Sequence, residues 1–262
     1  MDAFIRLGIA LAVFALMMVW EALSPKRLEN MHRLQRWPIN LGLGGFNTLL
    51  LRLTTGSLAI SSAVFAQQQG WGLLQQWSFN DVLATAVSLL MLDLAIYGQH
   101  VASHRWSLLW RLHQVHHTDL TLDVTSAVRF HPLEILLSLA YKSLCIVALG
   151  ASPIAVVSFE ILLSSASAFN HGNVSLPQRL DNGLRWLIVT PDMHRIHHST
   201  NPKETDSNYG FCLACWDRLF GTYLNQPALS QTTLAIGLPA FRNANELSFS
   251  RLLLLPFRAL KR

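Results

Sequence analysis

Residues 7–23, 39–65, 82–98, 133–149 and 154–169 are apolar runs, and they constrain this chain more than any other feature of its sequence. A helix that crosses the hydrocarbon core of a bilayer needs about 20 mostly apolar residues. Composition points the same way. The 262-residue chain is 51% hydrophobic and 13% charged, whereas a soluble domain carries about 25% charged residues. The expected class is an all-α integral membrane protein, multi-pass, with about four to five membrane-embedded helices. The first run follows Arg6 and leads into Ser24, Pro25, Lys26 and Arg27, not into a small-x-small cleavage site, so it reads as a retained helix. The second run is expected as one span, softened by Asn47 and Arg52. Only "GASP" separates the last two, which is room for a tight hairpin that crosses fully or re-enters.

Loop charge orients these runs. The segment "SPKRLENMHRLQRW" carries four Lys or Arg against one Glu, while "AQQQGWGLLQQWSFN" carries none. Cytoplasmic loops concentrate basic residues, so the first should be cytoplasmic and the second outside. Alternating segments then bring 100–131 and 171–198 to the cytoplasmic side. The net charge of +5 is modest and no run of Lys and Arg makes a nucleic-acid groove, so no nucleic-acid partner is expected.

Three cysteines, an odd number, argue against a disulfide framework. Cys212 and Cys215 form a C-x-x-C inside an apolar stretch (Phe211, Leu213, Trp216, Leu219, Phe220) and read as packing residues.

Of eleven histidines, only His32 in the basic loop stands apart. The others are His100, His104, His113, His116, His117, His131, His171, His194, His197 and His198. His100 and His104 share a helix face at i and i+4. Two H-x-x-H-H triplets, 113–117 and 194–198, can direct imidazoles at one point or split them between two neighbouring points. Neutral imidazole suits iron, zinc or copper and suits magnesium or calcium poorly. One ion takes four to six ligands, so this many imidazoles argue for two ions. Asp93, Tyr97, His100 and His104 fall on one helical face, and Glu160, Ser164, Ser167 and His171 repeat the pattern. An acid inside a span is a functional hypothesis by default. Asp93 is expected to support the site from behind its ligands, with helix packing as the alternative.

The stretches "HVASHRWSLLWRLHQVHHTDLTLDVTSAVRFHPLE", "FNHGN" and "TPDMHRIHHSTNPKETDSNYGFCLACWDRLFGTY" together resemble the fatty acid hydroxylase superfamily. This sterol desaturase-like group includes sterol desaturases, methylsterol oxidases, alkylglycerol monooxygenase and carotenoid hydroxylases. The likeness covers about residues 80 to 225 and joins H-x-x-x-H, H-x-x-H-H, R-x-H-P, N-H-x-N and a second H-x-x-H-H. It implies a membrane di-iron oxygenase with a cytosolic helical cap over the metals, which uses dioxygen and external electrons to hydroxylate or desaturate a lipid: sterol-like, fatty-acyl, ether lipid or carotenoid. On this resemblance the metal ligands are His100, His104, His113, His116, His117, His194, His197, His198, His171 of N-H-x-N and His131 of R-F-H-P. Asn173 and Asp206, within the same motifs, join Asp93 in support. The cofactor is two iron ions, with zinc able to replace them in purified protein. Compared with the membrane acyl-chain desaturases, the short H-x-x-x-H spacing favours the hydroxylase branch.

No His-Pro-Gly-Gly haem-domain motif is present in the sequence. Electrons are therefore expected from a separate donor, an NAD(P)H-dependent reductase with ferredoxin or a b-type cytochrome. The lipid substrate enters from the bilayer, and the membrane is a bacterial inner membrane or the endoplasmic reticulum, with the active site cytoplasmic. The chain divides into N-terminal membrane helices with a basic loop (1–79), the catalytic domain (80–225) and an amphipathic basic tail (226–262). Two other classes fit a histidine-rich membrane protein: a metal transporter, whose ligands belong near the bilayer midplane, and a metal-binding protein without oxidative chemistry.

Overall fold

The computed structural model describes residues 2–28 and 33–258; His32, and the last residues of the C-terminal tail, lie outside the described residues. Among those described there are helices and isolated bridges but no strand. The long helices are α1 (Asp2–Leu23), α2 (Arg33–Thr54), α3 (Leu58–Gln69), α4 (Asp81–Arg105), α6 (Pro132–Leu149) and α7 (Pro153–His171), with α5 (Ser107–His117) between α4 and α6 and the short α8 (Gln178–Leu184) after α7. Five segments are long and apolar enough to cross a membrane, α2 and α3 lying within one of them, Arg33–Gln76. The protein is a multi-pass membrane protein.

The apolar run 39–65 is not one helix. It breaks after Thr54, where Thr54 and Thr55 hydroxyls bond back to the carbonyls of Leu50 and Leu51, and Gly56 takes a left-handed φ of 54°. Hydroxyls that bond back this way compete with the helix ladder. The two pieces still follow one path from the histidine-bearing end of the bundle to the opposite end. There Gly72 meets Gly150 so closely that a Cβ on Gly72 would lie 2.1 Å from the Gly150 nitrogen.

Sequence punctuation sets the helix starts. Asn80 accepts from Leu83 N at 2.9 Å to open α4, and Ser152 accepts from Ala155 N at 3.3 Å to open α7. Proline stands at the start of α6, α7, α9 (Pro191–His197) and α10 (Pro202–Thr205), where its missing N–H is no loss. Gly150 closes α6 in the left-handed conformation, so "GASP" is a tight turn between two helices of full membrane length, about 27 and 28 Å. Ala59 and Ala63 on α3 pack with Ile146, Leu149, Val156 and Phe159, small residues allowing close helix approach in lipid.

The helix ends nearest the histidines carry a polar cap. Arg36 of α2 grips Asp119 through Nε at 2.5 Å and Nη2 at 2.8 Å, and reaches Asp123 at 2.9 Å. Arg129, fully buried, donates to Asn40, Thr118 and the Val115 carbonyl. Glu21, at the end of α1, accepts from the backbone N–H of both Val124 and Asn173 at 2.7 Å. Asp192 receives Lys26 at 2.7 Å and also Arg195. In the tail, Leu252 and Leu255 are buried with Leu43 and Val115, while Leu254 and Phe257 stay exposed. Part of its apolar face therefore packs on α2 and α5.

Candidate metal centre

Nine histidines meet in the cap, none more than 7% exposed. Their ring nitrogens sort into two groups, His100, His104, His113, His117 and His197 in one, His116, His171, His194 and His198 in the other. Within each group the candidate ligand atoms lie within 4.8 Å of one another. Both triplets are split. The i and i+4 members of α5, His113 and His117, face the first group and His116 the second. In the later triplet the middle residue, His197, joins the first group, and His194 and His198 join the second. The two groups adjoin, since the His117 and His198 rings stack at 4.4 Å.

Backbone carbonyls fix which nitrogen is free in four of the nine rings. His100 donates Nδ1–H to the Tyr209 carbonyl at 2.7 Å, His197 to Ser207 at 2.7 Å, His171 to Ser167 at 2.7 Å and His116 to Arg129 at 3.2 Å. His113 donates Nδ1–H to Glu134 Oε1 at 2.6 Å. A neutral imidazole that gives its proton to a carbonyl presents a lone pair at Nε2. The His116 and His171 Nε2 atoms nevertheless stand 3.0 Å apart, lone pair against lone pair. His113 Nε2 and His197 Nε2 are buried with no hydrogen-bond partner. Burial, then the neighbouring imidazoles, hold His116, His117, His194 and His198 well below the usual histidine range, and burial pulls His197 down to about 3. Protons therefore do not relieve the facing lone pairs. A cation does, and neutral nitrogen sets of this kind fit iron, zinc or copper.

The loop Asp206–Gly210 supplies two of the fixing carbonyls. Asn208 sits at a φ of 52°, a left-handed conformation that asparagine tolerates better than most side chains. That kink lies between the Ser207 and Tyr209 carbonyls, which reach His197 and His100. Asn208 is anchored by Met193 O at 3.1 Å and by both backbone groups of Leu224. Asp217 takes the N–H groups of Tyr209 and Gly210 at 2.7 and 2.8 Å.

His131 joins neither group. It caps α6, Nδ1 accepting from Leu133 N at 3.2 Å and Nε2 lying 3.1 Å from the Leu253 carbonyl. Asp93 accepts from Cys212 N, Leu213 N and Trp216 Nε1, so it holds the loop behind Tyr209. The Asn173 amide pairs with the Arg27 backbone. Asp206 is half exposed, 3.4 Å from His104 Nδ1. Burial and the Asp93 carboxylate push the Cys212 and Cys215 thiols up, consistent with packing residues. Sequence reasoning did not single out Glu134, Asn208 or Asp217. Glu134 sits in the first turn of α6, three residues after His131, and the other two lie in the D-x-N-Y-G and W-D motifs.

A cavity of about 370 Å³ opens below the histidines into the membrane helices, reaching His100, His113, His116, His171 and His194. The family model for fatty acid hydroxylases matches residues 85–222. The chain belongs to the fatty acid hydroxylase family. It is 32% identical over 161 residues to an ornithine lipid hydroxylase of Rhizobium tropici, covering 62% of this chain and 47% of that one. It is 30% identical over 139 residues to the alkylglycerol monooxygenase of Xenopus tropicalis, covering 53% and 30% of the two chains. The zebrafish (Danio rerio) alkylglycerol monooxygenase is 30% identical over 138 residues, covering 52% and 30%. The chain thus spans half the length or less of these relatives. No solved structure matches it.

Proposed function

We propose that this family member is a membrane dinuclear iron oxygenase that hydroxylates or desaturates a lipid. The observation that carries this reading is the pair of buried imidazole groups opening onto an apolar cavity between membrane helices. His100, His104, His113, His117 and His197 would hold one ion, and His116, His171, His194 and His198 the other. Two ferrous ions bound there would supply the reductive activation of dioxygen that makes an unactivated C–H bond oxidisable. In hydroxylation one oxygen atom of dioxygen enters the product and the other leaves as water, with two electrons and two protons supplied from outside.

The chain's own residues prepare this chemistry. Carbonyls of Ser167, Tyr209, Ser207 and Arg129 and the Glu134 carboxylate lock the imidazole tautomers, which keeps Nε2 lone pairs directed inward. Leu51, Ile96, Val128, Phe130, Ile135 and Leu163 line the cavity and keep water from the reacting carbon. The histidines stand at span ends, not at the midplane where a transporter binds its cargo. The electron donor is a separate reductase system with ferredoxin or a b-type cytochrome. The cap faces the cytoplasm of a bacterial inner membrane or the endoplasmic reticulum.

The test is anaerobic purification with metal analysis, followed by incubation with dioxygen, reduced donor and a membrane lipid extract. The expected result is two irons per chain and a lipid that gains one oxygen or loses two hydrogens. Saturation at one ion would remove the dinuclear reading. Metal moved across vesicles, with every lipid unchanged, would replace the oxygenase by a transporter.

A further inference from the structure

The histidine centre leaves one charged cluster within the spans unused. Glu160 of α7 accepts Lys142 of α6 on Oε1 at 2.8 Å and Arg6 of α1 on Oε2. All three lie in segments of membrane-crossing length, where an ionisable side chain marks a functional path by default. A structural ion pair would balance its charge, but here two cations share one carboxylate. An ammonium group has three donors, and Lys142 has Glu160 as its acceptor.

Lys142 and Glu160 line the same cavity as the histidines, at its other end. Along α7 the rise from Glu160 to His171 is about 16 Å, and along α6 the rise from Glu134 to Lys142 is about 12 Å. Between the ends the wall is largely apolar, with Ile96, Val128 and Leu163 among its residues. One chamber thus has a nitrogen-rich end, an apolar middle and an end with surplus positive charge.

We propose that Lys142, held by Glu160 against Arg6, binds an anionic group of the lipid substrate, and that the apolar stretch sets which carbon reaches the histidines. The ligand chemistry is an anionic oxygen, carboxylate or phosphate, on an apolar chain. This rests on the function proposed above only in naming the histidine end as the place of oxidation; binding at the cationic end is read without turnover.

The experiment measures equilibrium binding of tetradecanoate, tetradecyl phosphate and methyl tetradecanoate to the purified protein in phosphatidylcholine nanodiscs. At least one anion should bind tenfold tighter or more than the ester, and the tighter anion identifies the group. Lys142→Met should erase the preference and Lys142→Arg should keep it, with metal content unchanged in both. Equal binding of all three probes by the wild type overturns the proposal, even if Lys142→Met fails to fold, and so does a preference that survives in Lys142→Met. Anion preference without lipid oxidation would instead count against the oxygenase and leave this site standing.

Discussion

His113 and His131 flank the same loop, yet their ring nitrogens meet different partners. His113 gives one nitrogen to Glu134 and keeps the other buried and unpaired. His131 uses one nitrogen as a helix cap and directs the other at a carbonyl. His113→Ala should therefore lower bound metal by about one ion per chain and abolish lipid oxidation, while the apolar spans still insert. His131→Ala should keep its metal and lose about 1 kcal/mol of stability, the usual cost of a lost N-cap. Metal analysis of both purified variants decides it, and metal loss in His131→Ala would return that residue to the ligand set. Glu134→Ala should weaken metal binding about 10- to 100-fold, as loss of a group orienting a ligand usually does. Glu134→Gln, which keeps an acceptor for the His113 Nδ1–H, should recover part of it. A competition titration against a chelator reads both values, and equal weakening by the two variants would show that orientation is not what Glu134 provides.

Helices here are placed by small residues at contacts and released by hydroxyls at breaks. Gly72 combines a φ of 104° with a Cβ position 2.1 Å from the Gly150 nitrogen. Gly98, inside α4, has nothing within 4 Å of its Cβ position. Gly72→Ala should destabilise by about 3 kcal/mol or more, since strained backbone and overpacking add. Gly98→Ala should gain up to about 1 kcal/mol from helix propensity. Thermal unfolding in detergent, followed by loss of helical signal, orders the two. A Gly72→Ala protein as stable as wild type would mean that this end of the bundle is free to separate. The triplets depend on elements in the same way: α9 is short, started by Thr190 and Pro191, and stopped just as its histidines reach the core.

Across the whole molecule, the histidine cap gathers at one end of the bundle and the loop around Gly72 at the other. On the proposed orientation, with the cap in the cytoplasm, an impermeant thiol reagent added outside intact cells should label Gln68→Cys and not Lys203→Cys, both positions being exposed. Signal is read above that of the three native cysteines. Labelling of Lys203→Cys alone would invert the protein in its membrane.

The sequence by itself determined the spans, the helical class, the family and nine of the imidazoles that gather in the cap. These are local signals: apolar length, i and i+4 spacing and short motifs are all written within a few turns of chain. The break at 55–57 escaped because side-chain hydroxyls bonding back to a helix leave no mark in an apolar count. Only the tertiary structure decided how each triplet divides between the two groups, why His131 stands aside, and that Asn208 turns the chain between two carbonyls that face histidines. Spacing fixes the angle between two side chains on one helix, but not which distant helix they will face. His116 meets His171 across 55 residues, and that meeting depends on how α5 and α7 pack around the same buried space.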